Sequence, residues 1–161
     1  MGSGKTTVSE ILSDRLDIDL LDTDAAIEET EGRTISSIFE EDGEEAFRSM
    51  ETELLDTIVK EHWRDMVISL GGGLPLREEN RKLLLKAGKV VYLKASPETV
   101  FNRVKDDDSR PLLKCEDPLG RIKELLEERG ELYDAAADLV VETDGKTPDE
   151  IAQEILDGLG I

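Results

Sequence analysis

The stretch Gly2-Ser3-Gly4-Lys5-Thr6-Thr7 decides the fold. Directly after it, four apolar residues between Val8 and Leu16 recur at the spacing of one helix face, which predicts a helix from about Lys5 to Leu16. Glycines at the start of a helix let backbone N–H groups approach an anion closely, and lysine and threonine add a cation and a metal-binding hydroxyl. Residues 2–7 therefore predict a nucleoside triphosphate-binding loop, a P-loop.

The full P-loop pattern, G-x-x-x-x-G-K-[ST], would place its first glycine two residues before Met1, after the strand that feeds the loop. The sequence contains neither feature. A glycine-rich N-terminal tail is the alternative interpretation of residues 2–7. The helix predicted directly after Lys5 argues against a tail.

Downstream, short apolar runs alternate with segments of helical spacing. Strands are predicted at 18–21, 66–70, 90–93 and 139–142. Helices are predicted at 27–31, 35–42, 44–62, 78–86, 97–104, 119–129 and 148–159, whereas 106–118 is polar and predicts a mobile segment. Alternation of this kind predicts an α/β fold, in which a parallel sheet carries helices on both faces. A chain of 161 residues is expected to form one domain.

The charge of the chain limits its partners. Lys and Arg number 20 against 39 Asp and Glu, a formal net charge of −19. Such a field repels nucleic acid and anionic membranes, so neither is expected as a partner. It also repels a nucleotide, so a phosphate site must gather its few cations locally. With a single cysteine, Cys115, and no apolar run of 18 residues, the sequence predicts a soluble protein in a reducing cytoplasm.

Two further motifs follow predicted strands. Asp22 and Asp24 could bind a metal with one carboxylate and accept an alcohol proton with the other, although a polar strand end with a helix cap is the plainer interpretation. Gly71-Gly72-Gly73 allows a ligand to approach the backbone, or simply forms a flexible turn. Ligands of parallel sheets bind beyond the carboxyl ends of the strands, where both motifs fall.

Three arginines are candidate anion-binding residues. The planar guanidinium groups of Arg48 and Arg129 could each bind a carboxylate through two hydrogen bonds, and Arg110 could close over phosphates from the mobile segment. Taken singly, each would be interpreted as a surface residue.

Their joint order is much more specific. The motifs are GSGKTT at 2–7, LLDTDAAIEETEGRTISSIFEEDGEEAFRSMETELL at 20–55, ISLGGG at 68–73, SRPLL at 109–113 and ERGELYDAAADLVVET at 128–143. Together they make the chain resemble shikimate kinase over nearly its whole length. The resemblance implies a parallel sheet of strand order 2-3-1-4-5, ATP and shikimate as substrates, Mg²⁺ as cofactor and a monomer as the working form.

The resemblance also implies a role for each motif. ATP would be bound by Gly2, Ser3, Gly4, Lys5, Thr6, Thr7 and the lid residue Arg110, with an adenine-side loop at 143–148. Magnesium would be held by Thr6 and Asp22, directly or through water. Shikimate would be bound by Asp24, Arg48, Gly71, Gly72, Gly73 and Arg129. Catalysis would rest on Lys5, Asp24 and Arg110, with Asp24 as the base or orienting group for the attacking 3-hydroxyl.

Two departures from the family pattern bear on these expectations. Many relatives carry R-x-P-L-Y where this chain has Arg129-Gly130-Glu131-Leu132-Tyr133, so Glu131 is expected to add negative charge near the carboxylate site and Gly130 to loosen its backbone. The first strand of the family fold, at the centre of the sheet, has no counterpart in the sequence. Without it, two interior strand edges would be unpaired. We expect either about ten preceding residues in a longer gene product or a replacement from another segment or chain.

Two other functions remain open on the sequence alone. A related small-molecule kinase, such as gluconate kinase, would share the P-loop but would not need both acceptor-site arginines. A catalytically silent shikimate-kinase-like binding or regulatory module would account for the lost strand, although the retained Lys5, Asp22, Asp24 and Arg110 oppose it.

Overall fold

The computed structural model describes residues 3–106 and 115–161. Within them the α-helices are α1 (Lys5–Leu16), α2 (Thr23–Glu31), α3 (Ile35–Glu41), α4 (Glu44–Lys60), α5 (Glu78–Ala87), α6 (Pro97–Val104), α7 (Pro118–Ala136) and α8 (Pro148–Leu159). The strands are β1 (Asp19–Asp22), β2 (Met66–Ser69), β3 (Val91–Lys94) and β4 (Leu139–Glu142), and a 3₁₀ turn spans Leu74–Leu76. None of these helices is long and apolar enough to cross a membrane.

Most element predictions are confirmed to within two residues. The helix after the glycine stretch begins at Lys5 and ends at Leu16 as predicted. Helix α8 begins with a capping box, in which the Thr147 side chain accepts from the Glu150 N–H and the Glu150 carboxylate accepts from the Thr147 N–H. The predicted mobile segment 106–118 lies largely outside the described residues.

The predicted start of α2 was wrong. The helix begins at Thr23, not Ile27, because the Asp22 side chain caps it by accepting a hydrogen bond of 3.0 Å from the Ala25 N–H. Asp24 therefore lies in the first turn of a helix and not at a strand end.

The predicted end of α7 was also wrong. The helix continues past Arg129 to Ala136, so Gly130 is an interior helical residue. Strong helix formers surround this glycine and outweigh its cost of about 1 kcal/mol.

The four strands form two separate parallel pairs among the described residues. Strand β1 pairs with β2, from Asp19 opposite Met66 to Asp22 opposite Ser69. Strand β3 pairs with β4, from Val91 opposite Leu139 onward. In the family order 2-3-1-4-5, the pair β1-β2 corresponds to strands 2 and 3, and the pair β3-β4 corresponds to strands 4 and 5. Among the described residues, β2 and β3 each pair with one strand.

Between the two pairs lies an apolar cavity of about 350 Å³, which we call the central slot. Its walls include the full length of β2 and residues 90, 91 and 93 at β3. Side chains of α1 and α8 and of α4 and α5 complete it, among them Val8, Leu12, Leu55, Leu84 and Ile155. The slot occupies the position expected for a strand between β2 and β3.

Candidate active site

The N-terminus of α1 forms one wall of the site. Gly4 caps the helix with φ of 88°, in the left-handed region that favours glycine, and its carbonyl accepts the first helical hydrogen bond, from the Val8 N–H. The amides of the first turn, from Lys5 to Thr7, are those that a helix leaves without a carbonyl partner four residues earlier, an arrangement that suits an anion. Ser3 is buried beside them, and Gly2 lies outside the described residues.

The glycine segment after β2 is fixed by contacts with two other elements. The Gly71 N–H donates a hydrogen bond of 2.9 Å to Oγ1 of the buried Thr23 at the start of α2. The Tyr133 hydroxyl of α7 donates to the carbonyl oxygen of Gly72. The segment is therefore held in place by α2 and α7 and does not act as a free turn.

The same segment requires glycine because polar side chains press against its backbone. A Cβ atom on Gly71 would lie 2.6 Å from Asp24 Oδ1 and 2.9 Å from Glu51 Oε2. A Cβ atom on Gly73 would lie 2.1 Å from Arg48 Nη1. Side chains therefore do lie close to the backbone of this segment, as the glycines predicted. They are the carboxylates of Asp24 and Glu51 and the guanidinium of Arg48.

Arg48 is held rigidly on α4. It is only 8% exposed, Nη1 donates to Glu51 Oε1 at 2.7 Å and Nη2 donates to Glu44 Oε1 at 3.0 Å. Its guanidinium also lies 5.3 Å from the ring centre of Phe47. Burial alone would lower the pKa of Arg48, but Glu51 and Glu44 outweigh it and raise the pKa, so the group keeps its positive charge.

Arg129 approaches the same place from α7. It is 7% exposed, and its charge acts on the buried carboxylate of Glu51. Tyr133, one turn later on the helix, makes the bond to Gly72 described above. Both arginines that the resemblance assigns to the acceptor are therefore buried near the glycine segment, and neither is a surface residue.

Glu51 is a site residue that sequence reasoning missed. Its side chain is fully buried, Oε1 is paired with Arg48, and Oε2 has no hydrogen-bond partner. Burial raises its pKa, and the charge of Asp24 adds to the effect, whereas Arg48 and Arg129 oppose it. The signal that could have found it is its position, one helical turn from both Phe47 and Leu55 on the buried face of α4.

A second missed residue lies beside the P-loop. Nη1 of Arg103, in the last turn of α6, is 4.0 Å from the position that a Cβ atom on Gly4 would take. The predicted lid arginine, Arg110, lies outside the described residues. Because its guanidinium lies close to Gly4, Arg103 places a positive charge beside the P-loop.

The loop 143–148 is organised by its own side chains. Thr143 is fully buried, and its hydroxyl donates to the Lys94 carbonyl at 3.1 Å. The Asp144 carboxylate accepts from the Ser96 N–H at 3.1 Å, and this bond holds the pKa of Asp144 below its usual value. These contacts join the loop to the start of α6, the helix that carries Arg103.

The comparisons with known proteins identify the family. A family model described as "Shikimate kinase" matches residues 1–159. The chain belongs to the shikimate kinase family. Shikimate kinase of Thermodesulfovibrio yellowstonii is 43% identical over 156 residues, which is 97% of this chain and 88% of that protein. Shikimate kinase of a Sulfurihydrogenibium species is 44% identical, with 97% and 91% covered.

Solved shikimate kinases have the same fold. The enzyme from Acinetobacter baumannii, in complex with shikimate, superposes with a TM-score of 0.94 at 38% identity, covering 99% of this chain and 88% of that one. The enzyme from Aquifex aeolicus gives a TM-score of 0.84 at 39% identity, covering 99% and 92%. The α/β prediction with parallel strands is confirmed.

Glu131 does not lie on the buried side of the helix that carries Arg129. Arg129 is buried and Glu131 is exposed. Residues two apart on a helix do not face each other, so the Glu131 charge is directed away from the arginine. Gly130, as an interior helical residue, does not interrupt the element that carries Arg129.

The contact between Gly73 and Arg48 yields a first prediction. Gly73→Ala would force the Arg48 guanidinium out of its place, and a misplacement of about 1 Å can cost about 100-fold in rate. We expect kcat/KM for the acceptor to fall by up to that factor in steady-state assays. Gly130→Ala is the matched control, since a Cβ atom there meets no heavy atom within 4 Å. Equal activity of the two variants would contradict the assigned contact.

The buried carboxyl of Glu51 yields a second prediction. Because its pKa is raised in the folded state, the folded chain holds this proton more tightly than the unfolded chain does. The resulting stabilisation is present at low pH and is lost as pH rises from the ordinary glutamate range through the raised pKa. Glu51→Gln cannot ionise, so its stability relative to the parent should rise as the pH increases from the ordinary glutamate range, about pH 4, upward.

Thermal denaturation across that pH range measures the Glu51 effect. Glu53→Gln, at an exposed position of the same helix, removes the same charge without altering a buried group. Parallel profiles for the parent, Glu51→Gln and Glu53→Gln would refute a titrating Glu51.

Proposed function

We propose that this chain transfers the γ-phosphoryl group of ATP to the 3-hydroxyl of shikimate. The observation that carries the proposal is the convergence of buried Arg48 and Arg129 with the carboxylate of Asp24 around one glycine segment. Two fixed cations beside a carboxylate suit an acceptor that carries one carboxylate and several hydroxyls. A neutral sugar would offer these two positive charges no anionic group to bind.

The acceptor would lie against residues 71–73. Its carboxylate would accept hydrogen bonds from Arg48 and Arg129. The Arg48 guanidinium has further N–H groups beyond the two that donate to Glu44 and Glu51. Its ring hydroxyls would donate to Asp24. Since Glu51 fixes the Arg48 guanidinium, little side-chain entropy would be lost on binding.

Asp24 would act on the attacking oxygen. As the bond from the shikimate O3 to the γ-phosphorus forms, the bond between that phosphorus and the oxygen bridging to the β-phosphate breaks, and ADP leaves. The proton of the 3-hydroxyl would pass to the Asp24 carboxylate. Positioning and charge neutralisation account for most catalysis of this kind.

The nucleotide phosphates would lie at the N-terminus of α1. Amides of residues 2–7 would donate to the phosphate oxygens, Lys5 would neutralise the outer phosphates, and Arg110 would close over them. Arg103, beside Gly4, is an additional cation for the same phosphates. The loop 143–148, which is joined to the helix of Arg103, would border the adenine.

Magnesium fits this arrangement as an ion that arrives with ATP. Residues 3–106 and 115–161 contain no cluster of three or more acidic, histidine or cysteine side chains that could hold a metal. Mg²⁺ commonly takes one or two protein ligands and completes its shell with phosphate and water. The Thr6 hydroxyl and the Asp22 carboxylate would be those ligands, and the bound ion would neutralise charge on the β- and γ-phosphates.

We further propose that the chain is one catalytic domain, acts in the cytoplasm in aromatic amino-acid biosynthesis, and works as a monomer unless another chain fills the central slot. The single, exposed Cys115 agrees with a reducing compartment, and the net charge of −19 argues against nucleic acid or an anionic membrane as a partner. The shikimate kinase family membership supports the pathway.

A coupled assay of ADP release tests the proposal with shikimate, gluconate and no acceptor. Two forms are compared: the 161-residue chain, and the same chain carrying an added N-terminal apolar strand. ADP release that depends on shikimate in either form would support the proposal. Release only with gluconate would identify the other kinase, and no release with any acceptor in both forms would identify a silent module.

A further inference from the structure

The peptide group between Gly72 and Gly73 is anchored by a residue of another element. The Tyr133 hydroxyl of α7 donates a hydrogen bond to the Gly72 carbonyl oxygen, whereas the Gly71 N–H is already bonded to Thr23. Glycine restricts backbone rotation less than any other residue, so the orientation of a peptide group between two glycines depends on its contacts. The bond from Tyr133 is such a contact.

The Tyr133 side chain is itself held in place. Its ring packs on the ring of Tyr92 in β3, with the ring centres 5.1 Å apart and the planes at 44°. Tilted aromatic pairs at this separation attract each other beyond what the burial of their area contributes. Tyr133 also lies one helical turn after Arg129, so both side chains project from the same face of α7. Strand β3 and helix α7 therefore fix the position from which the hydroxyl donates.

The direction of the Gly72 carbonyl determines the direction of the Gly73 N–H. Both groups belong to one planar peptide bond, and none of the described peptide bonds is cis. In a trans peptide the C=O and N–H bonds point in opposite directions. Because the carbonyl is directed to the Tyr133 hydroxyl, the Gly73 N–H is directed away from it.

The Arg48 guanidinium lies against the same peptide group. A Cβ atom on Gly73 would be 2.3 Å from Arg48 Cζ and 2.4 Å from Nη2. A carboxylate bound to Arg48 would therefore lie close to Gly73, where an N–H donor favours an anionic group over a neutral one. If the peptide group turned over, the Gly72 carbonyl oxygen would replace this donor and repel the carboxylate.

We propose that Tyr133 is a positioning residue for the acceptor carboxylate: by holding the Gly72 carbonyl, it directs the Gly73 N–H towards the anion that Arg48 binds. The inference rests on the proposed function, which places the shikimate carboxylate beside residues 71–73. In this role Tyr133 acts through the backbone of the glycine segment and needs no contact with the acceptor itself.

Tyr133→Phe tests the proposal, because it removes the hydroxyl and keeps the ring that packs on Tyr92. Loss of one hydrogen bond changes an equilibrium by a factor of about 3 to 10, and KM for shikimate should rise by that factor. KM for ATP and kcat should stay within about twofold of the parent. Tyr92→Phe is the matched control, since it removes the same oxygen atom from the neighbouring ring and leaves the bond to Gly72 intact.

A neutral analogue of the acceptor distinguishes positioning from a general loss of packing. The methyl ester of shikimate carries no anionic group, so it gains less from a correctly directed N–H. The ratio of kcat/KM for shikimate to kcat/KM for the ester should fall by a factor of about 3 to 10 in Tyr133→Phe and stay unchanged in Tyr92→Phe. A purely structural role would lower both kcat/KM values equally and leave the ratio unchanged, which would overturn the inference.

The possible outcomes separate this inference from the proposed function. No phosphorylation of shikimate by either form of the parent chain would contradict the function and the inference with it. Phosphorylation by the parent with an unchanged ratio in Tyr133→Phe would overturn the inference alone. If circular dichroism shows that Tyr133→Phe does not fold, nuclear magnetic resonance of the parent decides. Shikimate should shift the Gly73 amide resonance but not that of Gly160, which follows α8. An unmoved Gly73 resonance would overturn the inference.

Discussion

Asp24→Asn should lower kcat with shikimate by about 100-fold to 10,000-fold, the range typical of losing a positioned general base. The amide is nearly isosteric with the carboxylate and preserves the packing against Gly71, but it cannot accept the hydroxyl proton. Since the proposed role of Asp24 is in acceptor binding and proton transfer, and the nucleotide is assigned to the P-loop, KM for ATP should change little. Steady-state kinetics with each substrate varied in turn separates the two effects.

Asp19→Asn is the matched control for this prediction. Asp19 is an exposed residue at the other end of β1, so the substitution removes the same charge outside the site. Its kcat should equal that of the parent. Unchanged kcat in Asp24→Asn would remove Asp24 from the chemistry, and an equal loss in both variants would indicate a general effect of charge.

Arg48→Ala should weaken shikimate binding and also destabilise the fold. The substitution removes one of the two arginines proposed to bind the shikimate carboxylate, so KM for shikimate should rise far more than KM for ATP. The second arises because Glu51, fully buried, loses the partner of its Oε1 atom. Breaking a buried ion pair by removing one member costs about 3–5 kcal/mol, which chemical denaturation can measure.

A double variant separates these two roles of Arg48. Arg48→Ala combined with Glu51→Ala removes the stranded carboxylate, so part of the lost stability should return while KM for shikimate stays high. Arg77→Ala is the control. Arg77, which precedes α5, pairs at the surface with Glu45 of α4, and a surface ion pair contributes at most about 1 kcal/mol. Recovery of both stability and shikimate affinity in the double variant would show that Arg48 has no direct contact with the acceptor.

The sequence predicted the P-loop helix and the strand positions well because local rules control them. The helix from Lys5 to Leu16 depends on apolar spacing and on a glycine at its start, and the strands depend on short apolar runs. The start of α2 was missed because Asp22 serves as its cap as well as a strand end. Both interpretations use the same residue, and periodicity alone does not choose between them.

The sequence predicted which arginines belong to the candidate site, but not that they are buried or that a buried carboxylate pairs with one of them. Arg48 and Arg129 were candidates, yet their burial depends on how α4 and α7 pack against residues 71–73, which is a tertiary property. Glu51 was missed because a carboxylate on an apolar stripe is normally a solvated residue at the helix edge. Its buried pairing with Arg48 required the fold to be known.

The most direct test of the proposed activity is nuclear magnetic resonance of the reaction product. ATP, magnesium and shikimate are incubated with the chain and with its strand-extended form, and phosphorus–proton coupling is recorded. The account predicts a new phosphate monoester whose phosphorus couples to the proton on C3 of shikimate, formed at the same rate as ADP. Phosphorylation at another hydroxyl, or only inorganic phosphate and ADP from both forms, would contradict it.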